Sequence, residues 1–202
     1  MFIESCFNDS HRICFRGLYL MKVIGVVGMP ASGKGEFARI ASTIGIPVVV
    51  MGDMIRKAVK EAGLEPSDTN FGATATRLRA ERGMDAIGQL CIPEIRNLDA
   101  PLVLIDGIRG DAEVRLFQRE FPPFTLIRIE STFDNRLARV SARGRSDDFT
   151  TSGELRNRDE RELGWGLGNA LALANLNLEN NGTLEEFGLS VRKLLDHIRS
   201  DP

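Results

Sequence analysis

Short apolar runs recur along the chain at Val23–Val27, Val48–Met51, Leu102–Ile105, Leu126–Ile129 and Leu176–Leu178, with longer segments of mixed polarity between them. Strand-length apolar runs that alternate with helical patterns predict a parallel sheet covered by helices on both faces. The pattern predicts helices over Gly35–Ser42, Met54–Ala62, Ala73–Arg82, Met84–Asn97, Ala112–Glu120, Asp134–Arg143 and Leu184–Arg199. In the last of these, Leu184, Phe187, Val191, Leu194, Leu195 and Ile198 recur every three to four residues, which gives one buried face and one charged face. Ser146–Gly153 is polar, small and poor in apolar residues, and reads as a mobile loop.

At 202 residues and 43% hydrophobic content, the chain has the size of one domain with its own core. A formal net charge of -2 argues against general attraction to nucleic acid, so local basic clusters matter more than the total. Cys6, Cys14 and Cys91 are odd in number and lack metal-like spacing, and His11 and His197 are the only histidines. Neither a disulfide framework nor a zinc site is expected. No run of 18 apolar residues occurs, and charges interrupt the first twenty positions, so no membrane span or secretory signal is predicted and the expected location is the cytoplasm. Met21 lies just before the first apolar run; residues 1–20 are therefore read as an extension, with the folded domain at 21–202.

Between the first strand and the first helix stands Gly28-Met29-Pro30-Ala31-Ser32-Gly33-Lys34-Gly35, followed by Glu36. This fits the glycine-rich phosphate loop GxxxxGK in the strand-to-helix setting that the motif requires. Glycines let the backbone curl so that its N–H groups face phosphate oxygens, and the helix adds its positive end. Lys34 would bridge the β- and γ-phosphates of ATP; the alternative is a glycine-rich turn with a solvated lysine. Gly35 stands where Ser or Thr usually offers magnesium a hydroxyl, so Mg2+ would be organised by carboxylates. Asp106 closes the apolar run Leu102–Ile105, as expected of a metal-organising strand end.

These segments resemble adenylate kinases. GMPASGKGEF is similar to their phosphate loop, and Met51-Gly-Asp53-Met-Ile-Arg56 to the segment that opens their acceptor-binding helices. The resemblance implies that Asp53 helps hold water around magnesium with Asp106, and that Arg56 contacts the acceptor phosphate, a task that suits the planar guanidinium fork. Asp106-Gly-Ile-Arg109 resembles their Asp-Gly-Phe-Pro-Arg with one residue fewer, which makes Arg109 a second acceptor ligand. Arg77, Arg79 and Arg82 either face an anionic acceptor or form a solvated helix face.

Arg136, Arg139 and Arg143 fall at i, i+3 and i+7 on one helical face, followed by Arg145, Arg156, Arg158 and Arg161. Such crowding favours a triphosphate clamp; the alternative is pairing with Asp147, Asp148, Glu154, Asp159 and Glu160. The order of Arg139, Arg143, Arg145 and Arg156 resembles the arginines that flank the lid of adenylate kinases, with a lid shortened to about 143–156. Those guanidinium groups would stabilise charge on the transferring phosphoryl group. Asn180-Asn181-Gly182-Thr183 resembles the adenine-side loop of dephospho-coenzyme A kinases, and the alternative is a turn with a helix cap.

Over most of 21–199, the chain resembles a chiefly archaeal family of P-loop kinases related to adenylate and dephospho-coenzyme A kinases. The resemblance implies a three-layer α/β P-loop NTPase fold with a five-stranded parallel sheet and acceptor-binding helices at about 53–97. It implies an enzyme that uses ATP and Mg2+ to phosphorylate a small nucleotide-like acceptor, with no nucleic-acid or membrane partner. Met51 replaces a Thr that seats AMP, and no counterpart of an adenine-reading Gln follows Asp106, so the expected acceptor is not AMP. The alternatives are dephospho-coenzyme A kinase activity and an ATP-dependent switch. An acceptor cleft containing Arg56 and Arg109 would favour a kinase, and a flat apolar surface a switch.

Overall fold

The computed structural model describes residues 21–143 and 151–200. Its elements are β1 (Lys22–Val27), α1 (Lys34–Thr43), β2 (Val48–Val50), α2 (Met51–Glu61), α3 (Asp68–Arg82), α4 (Ala86–Arg96), β3 (Leu102–Ile108) and α5 (Asp111–Glu120). They continue with β4 (Phe124–Glu130), α6 (Phe133–Arg143), α7 (Ser152–Gly164), α8 (Leu167–Ala172), β5 (Leu176–Glu179) and α9 (Leu184–Ser200). The strands form one parallel sheet in the order β2-β3-β1-β4-β5, so the five-stranded α/β architecture is as expected.

The sheet has two buried faces, which explains why its central strands are apolar throughout rather than alternating. On one face Val23, Val103 and Ile105 pack with Ile55, Ile87, Phe117 and Trp165 of the surrounding helices. On the other, Ile24, Leu104 and Ile127 pack with Phe37 and Ile40 of α1 and with Phe187, Val191 and Leu195 of α9. Each fully buried side chain of this size stabilises the fold by about 1.5–3 kcal/mol. The periodic face expected for the last helix is the one that α9 buries: Phe187, Val191, Leu195 and Ile198 are buried, whereas Leu184 is exposed.

Two differences from the sequence reading bear on function. Met51, expected to end the second strand, begins α2 instead, because β2 stops where its Val50 pairs with Asp106 near the end of β3. Helices α7 and α8 had no counterpart among the expected helices, and Ser152 and Gly153, expected in a loop, start α7. A capping box begins that helix: the Thr151 hydroxyl accepts from the Glu154 amide at 3.2 Å, and the Glu154 carboxylate accepts from the Thr151 amide at 3.0 Å. Residues 1–20, Arg145 and most of the expected lid lie outside the described residues, as does the side chain of Arg143. Among the described residues, no helix is long and apolar enough to cross a membrane.

Candidate functional site

The phosphate loop leaves β1 at Gly28 and turns into α1 at Lys34, at the C-terminal end of the central strand. Gly33 has φ +115°, and a Cβ there would lie 2.2 Å from Asn180 Nδ2, so both conformation and space demand glycine. Asn180 Nδ2 donates to the Ser32 carbonyl at 2.8 Å, which ties the loop after β5 to the phosphate loop. Lys34 Nζ folds back to donate to the carbonyls of Gly28 at 2.6 Å and Met29 at 3.1 Å. Burial lowers the Lys34 ammonium to about 8, against the opposing pull of Glu162 and Asp106. No atom comes within 4 Å of a Cβ built on Gly35. Glu36 is spent in a pair with Arg39 at 2.6 Å.

Asp106 lies beside this loop because β3 is hydrogen-bonded between β1 and β2, in register with Val26 on one side and Val50 on the other. The register slips at the next step, Val27 pairing with Ile108, so Gly107 is an extra residue in β3; its φ of +97° is one that glycine adopts without strain. Asp106 Oδ1 is buried with no hydrogen-bond partner. Burial raises the Asp106 carboxyl, opposed by Lys34, Arg109 and Arg56, while Asp53 adds to the rise. A buried, orphaned carboxylate oxygen beside a phosphate loop fits a hydrated divalent cation, which takes one or two protein carboxylates and completes its shell with water and phosphate oxygens. Asp53 is exposed at the start of α2 and is paired with Arg56. Among the described residues, no group of three or more ligating side chains could enclose a metal without such help.

Next to Asp106 opens a cleft lined by Gly52, Arg56, Gly107, Arg109, Phe71, Arg79 and Trp165. Arg56 and Arg109, expected on the acceptor, therefore share one cavity. Of the three arginines on α3, Arg79 turns inward and pairs with buried Glu113 at 2.7 Å, whereas Arg77 pairs with Glu81 at the surface. Glu113 also accepts from the backbone amide of Arg109 at 2.8 Å and so fixes the start of α5 below the cleft. Helix α7 adds Arg158 and Arg161 to the lining.

A carboxylate closes the seam between the loop and the cleft. Glu162, 1% exposed, accepts from Arg109 Nη1 at 2.8 Å and Arg158 Nε at 2.9 Å through the same oxygen. Burial alone would raise its carboxyl, but Arg109, Arg158 and Lys34 outweigh burial and hold it at about 2. Glu162 was absent from the expected site.

The expected triphosphate clamp on α6 is divided. Arg136 is buried in a two-pronged pair with Asp159 at 2.8 and 2.7 Å and donates to the Pro30 carbonyl at 3.0 Å, so it follows the alternative of acid pairing. Arg139 points to the phosphate-loop side, with donors on the Asn180 carbonyl at 2.6 Å and Ser131 Oγ at 2.9 Å. Val140 and Leu155 pack with Ala31 of the phosphate loop, which seats the α6–α7 pair on it. Asn181 accepts from the Thr132 amide at 3.0 Å and lines a second cleft with Met29, and Gly182 follows it at the surface.

A family model described as an AAA domain matches residues 27–154. A UPF0200 protein of Methanoregula boonei is 61% identical over 182 residues, covering 90% of this chain and 100% of the relative. A UPF0200 protein of Methanoculleus marisnigri is 62% identical over 175 residues, covering 87% and 96%. Among solved structures, TT1252 from Thermus thermophilus superposes with a TM-score of 0.61 at 19% identity, over 88% of this chain and 97% of that one. Shikimate kinase from Acinetobacter baumannii, in complex with shikimate, superposes with a TM-score of 0.56 at 16% identity, over 89% and 94%. At these identities the likeness is one of fold, and the fold is that of P-loop kinases.

Proposed function

Because the chain belongs to the UPF0200 family, whose fold here is that of P-loop kinases, we propose that it is an ATP-dependent phosphotransferase acting on a small nucleotide-like acceptor. The observation that carries this reading is the adjacency of Lys34, the orphaned Asp106 oxygen and a cleft containing Arg56 and Arg109 at one end of the sheet. A switch protein would need no arginine-lined cavity beside its nucleotide. The shared cavity favours the kinase.

In this reading, the amides of Gly28–Gly35 cradle the phosphates of ATP, and Lys34 exchanges the Gly28 and Met29 carbonyls for β- and γ-phosphate oxygens. Asp106 and Asp53 would hold Mg2+ largely through its waters, and the ion would supply neutralisation of charge on the β- and γ-phosphates. Arg56 and Arg109 orient the acceptor phosphate in line with the γ-phosphorus. An acceptor phosphate oxygen forms the new P–O bond as the bond to the β–γ bridging oxygen breaks, and ADP leaves with that electron pair. The attacking phosphate is already ionised, so no general base is required. Arg139 and Arg143 serve the triphosphate from α6, and Arg145 the transferring group.

The split between donor and acceptor is testable. Loss of a guanidinium fork costs a charged hydrogen-bond pair, about 1.5–3 kcal/mol, or about ten- to a hundredfold in one constant. Arg56→Ala should raise the acceptor KM by that factor and leave ATP affinity nearly unchanged in steady-state kinetics. Loss of ATP binding with an unchanged acceptor constant would reverse the assignment.

Lys34 gives a pH signature. Its ammonium has a pKa of about 8 in the free protein, and phosphate oxygens favour the charged form, so the bound pKa is higher. At pH 9 the free group is about nine-tenths neutral and regains its proton on binding. Calorimetry in buffers of different ionisation enthalpy should therefore show uptake approaching one proton per ATP at pH 9, and progressively less as pH falls below 8. Equal uptake in Lys34→Met would assign the proton elsewhere.

A further inference from the structure

Two arginines that line the acceptor cleft, Arg79 and Arg161, carry three buried N–H groups without a hydrogen-bond partner: Nε and Nη1 of Arg79, and Nε of Arg161. Both guanidinium groups lie beside the Trp165 ring, Arg79 at 4.4 Å and Arg161 at 5.8 Å from its centroid. Burying a donor without an acceptor costs about 1–3 kcal/mol, more when it is charged. The indole face offsets part of that cost, since a cation over tryptophan gains about 0.5–2 kcal/mol, but it supplies no lone pair for a hydrogen bond.

The other contacts of these two arginines hold them in place and leave these donors unused. Arg79 Nη2 is fixed on Glu113 at 2.7 Å. Arg161 Nη2 is fixed on both oxygens of Asp68, at 3.1 and 2.9 Å. Arg161 lies flat on Gly72, where a Cβ would stand 3.2 Å from its Nε, so the absence of a side chain there lets it reach the cleft. An acid group is the ligand chemistry that satisfies several guanidinium donors at once.

We infer that Arg79 and Arg161, beside Trp165, form a second anion subsite in the cleft, so that the acceptor carries two acid groups. One is the phosphate at Arg56 and Arg109; the other is a carboxylate or a second phosphate that takes Arg79 and Arg161 beside the indole. The inference rests on the phosphotransfer reading for its phosphate end. It narrows the acceptor from nucleotide-like compounds in general to phosphomonoesters bearing a further acid group.

Trp165 is the chain's single tryptophan, and Arg109 is also 6.0 Å from its ring, so its fluorescence reports on an anion at either subsite. The experiment titrates the full chain with phenyl phosphate, the three carboxyphenyl phosphates and the three phenylene bisphosphates. At least one two-acid probe should bind about tenfold or more tightly than phenyl phosphate, as one charged hydrogen-bond pair predicts, and the better series identifies the acid. Arg161→Lys and Arg79→Lys keep the positive charge and, for Arg79, a donor for Glu113, but they remove the fork. The advantage should shrink to less than about threefold in each. Arg161, partly exposed, carries the test if the buried Arg79 variant does not fold. The inference fails if no two-acid probe exceeds phenyl phosphate, if no probe binds, or if the advantage survives in Arg161→Lys. Acceptor-stimulated ADP release from ATP, measured separately, judges the phosphotransfer reading, so a chain that transfers a phosphoryl group but shows no two-acid advantage loses the subsite alone.

Discussion

Lys34→Ala is expected to weaken ATP binding by about ten- to a hundredfold and to reduce turnover further, because it removes the full positive charge within the phosphate loop. The ammonium sits on two carbonyls, Gly28 and Met29, that form part of the loop itself. Its loss therefore removes both a phosphate ligand and a brace. The neighbouring cations cannot replace it: Arg109 and Arg158 are held by Glu162, and Arg136 by Asp159. Calorimetric titration of the variant with ATP, alongside its thermal midpoint, separates the two losses. A folded variant with unchanged ATP affinity and unchanged turnover would remove the basis of the phosphate-loop assignment.

Asp106→Asn should abolish most magnesium-dependent turnover while leaving the fold intact. The substitution keeps the shape of a side chain at the end of a central strand, and burial already disfavours the charge that it removes. Stability should hold or rise, whereas a cation would lose the negative charge of the carboxylate whose buried Oδ1 has no hydrogen-bond partner. Gly35 offers no hydroxyl to compensate, and Asp53 is exposed and engaged with Arg56. The check is the magnesium concentration needed for half-maximal turnover, compared with the wild type. A wild-type magnesium response in the variant would mean that the end of β3 does not organise the metal.

The sheet and the phosphate loop were legible in the sequence because both impose local demands. A strand buried on two faces must be apolar throughout, and a loop that aims its amides at one point needs glycine where φ is positive, as at Gly33. Asp106 was legible as a charge ending an apolar run, although β3 continues past it to Ile108. The expected roles of Asp53, Arg56 and Arg109 came from the resemblance; the structure brings Arg56 and Arg109 into one cleft and pairs exposed Asp53 with Arg56.

Glu162, Arg158, Arg161 and Trp165 were not legible as cleft residues, for a physical reason. Arg158 and Arg161 belong to a stretch rich in both charges that reads as a triphosphate clamp or as arginines paired with nearby acids, and only packing across the chain decides which side turns inward. Glu162 meets Arg109 from 53 residues away. The start of α7 did carry a local signal, Thr151-x-x-Glu154, which is a capping box. Arg136 and Arg139 share one helical face, yet one is buried on Asp159 and the other reaches Asn180, a difference set by partners on α7 and after β5 that helical spacing cannot show.

Phosphoryl transfer to an acceptor is tested by coupled ADP release in the presence of ATP and Mg2+, with the phosphorylated product identified by mass. Nucleoside monophosphates, dephospho-coenzyme A and phosphomonoesters with a second acid group are supplied one at a time. One class should raise ADP release well above the rate without acceptor and gain one phosphoryl group per ADP formed, and Lys34→Ala should lose both. Slow ADP release that no acceptor accelerates, with inorganic phosphate as the other product, would contradict phosphoryl transfer and identify an ATP-hydrolysing switch.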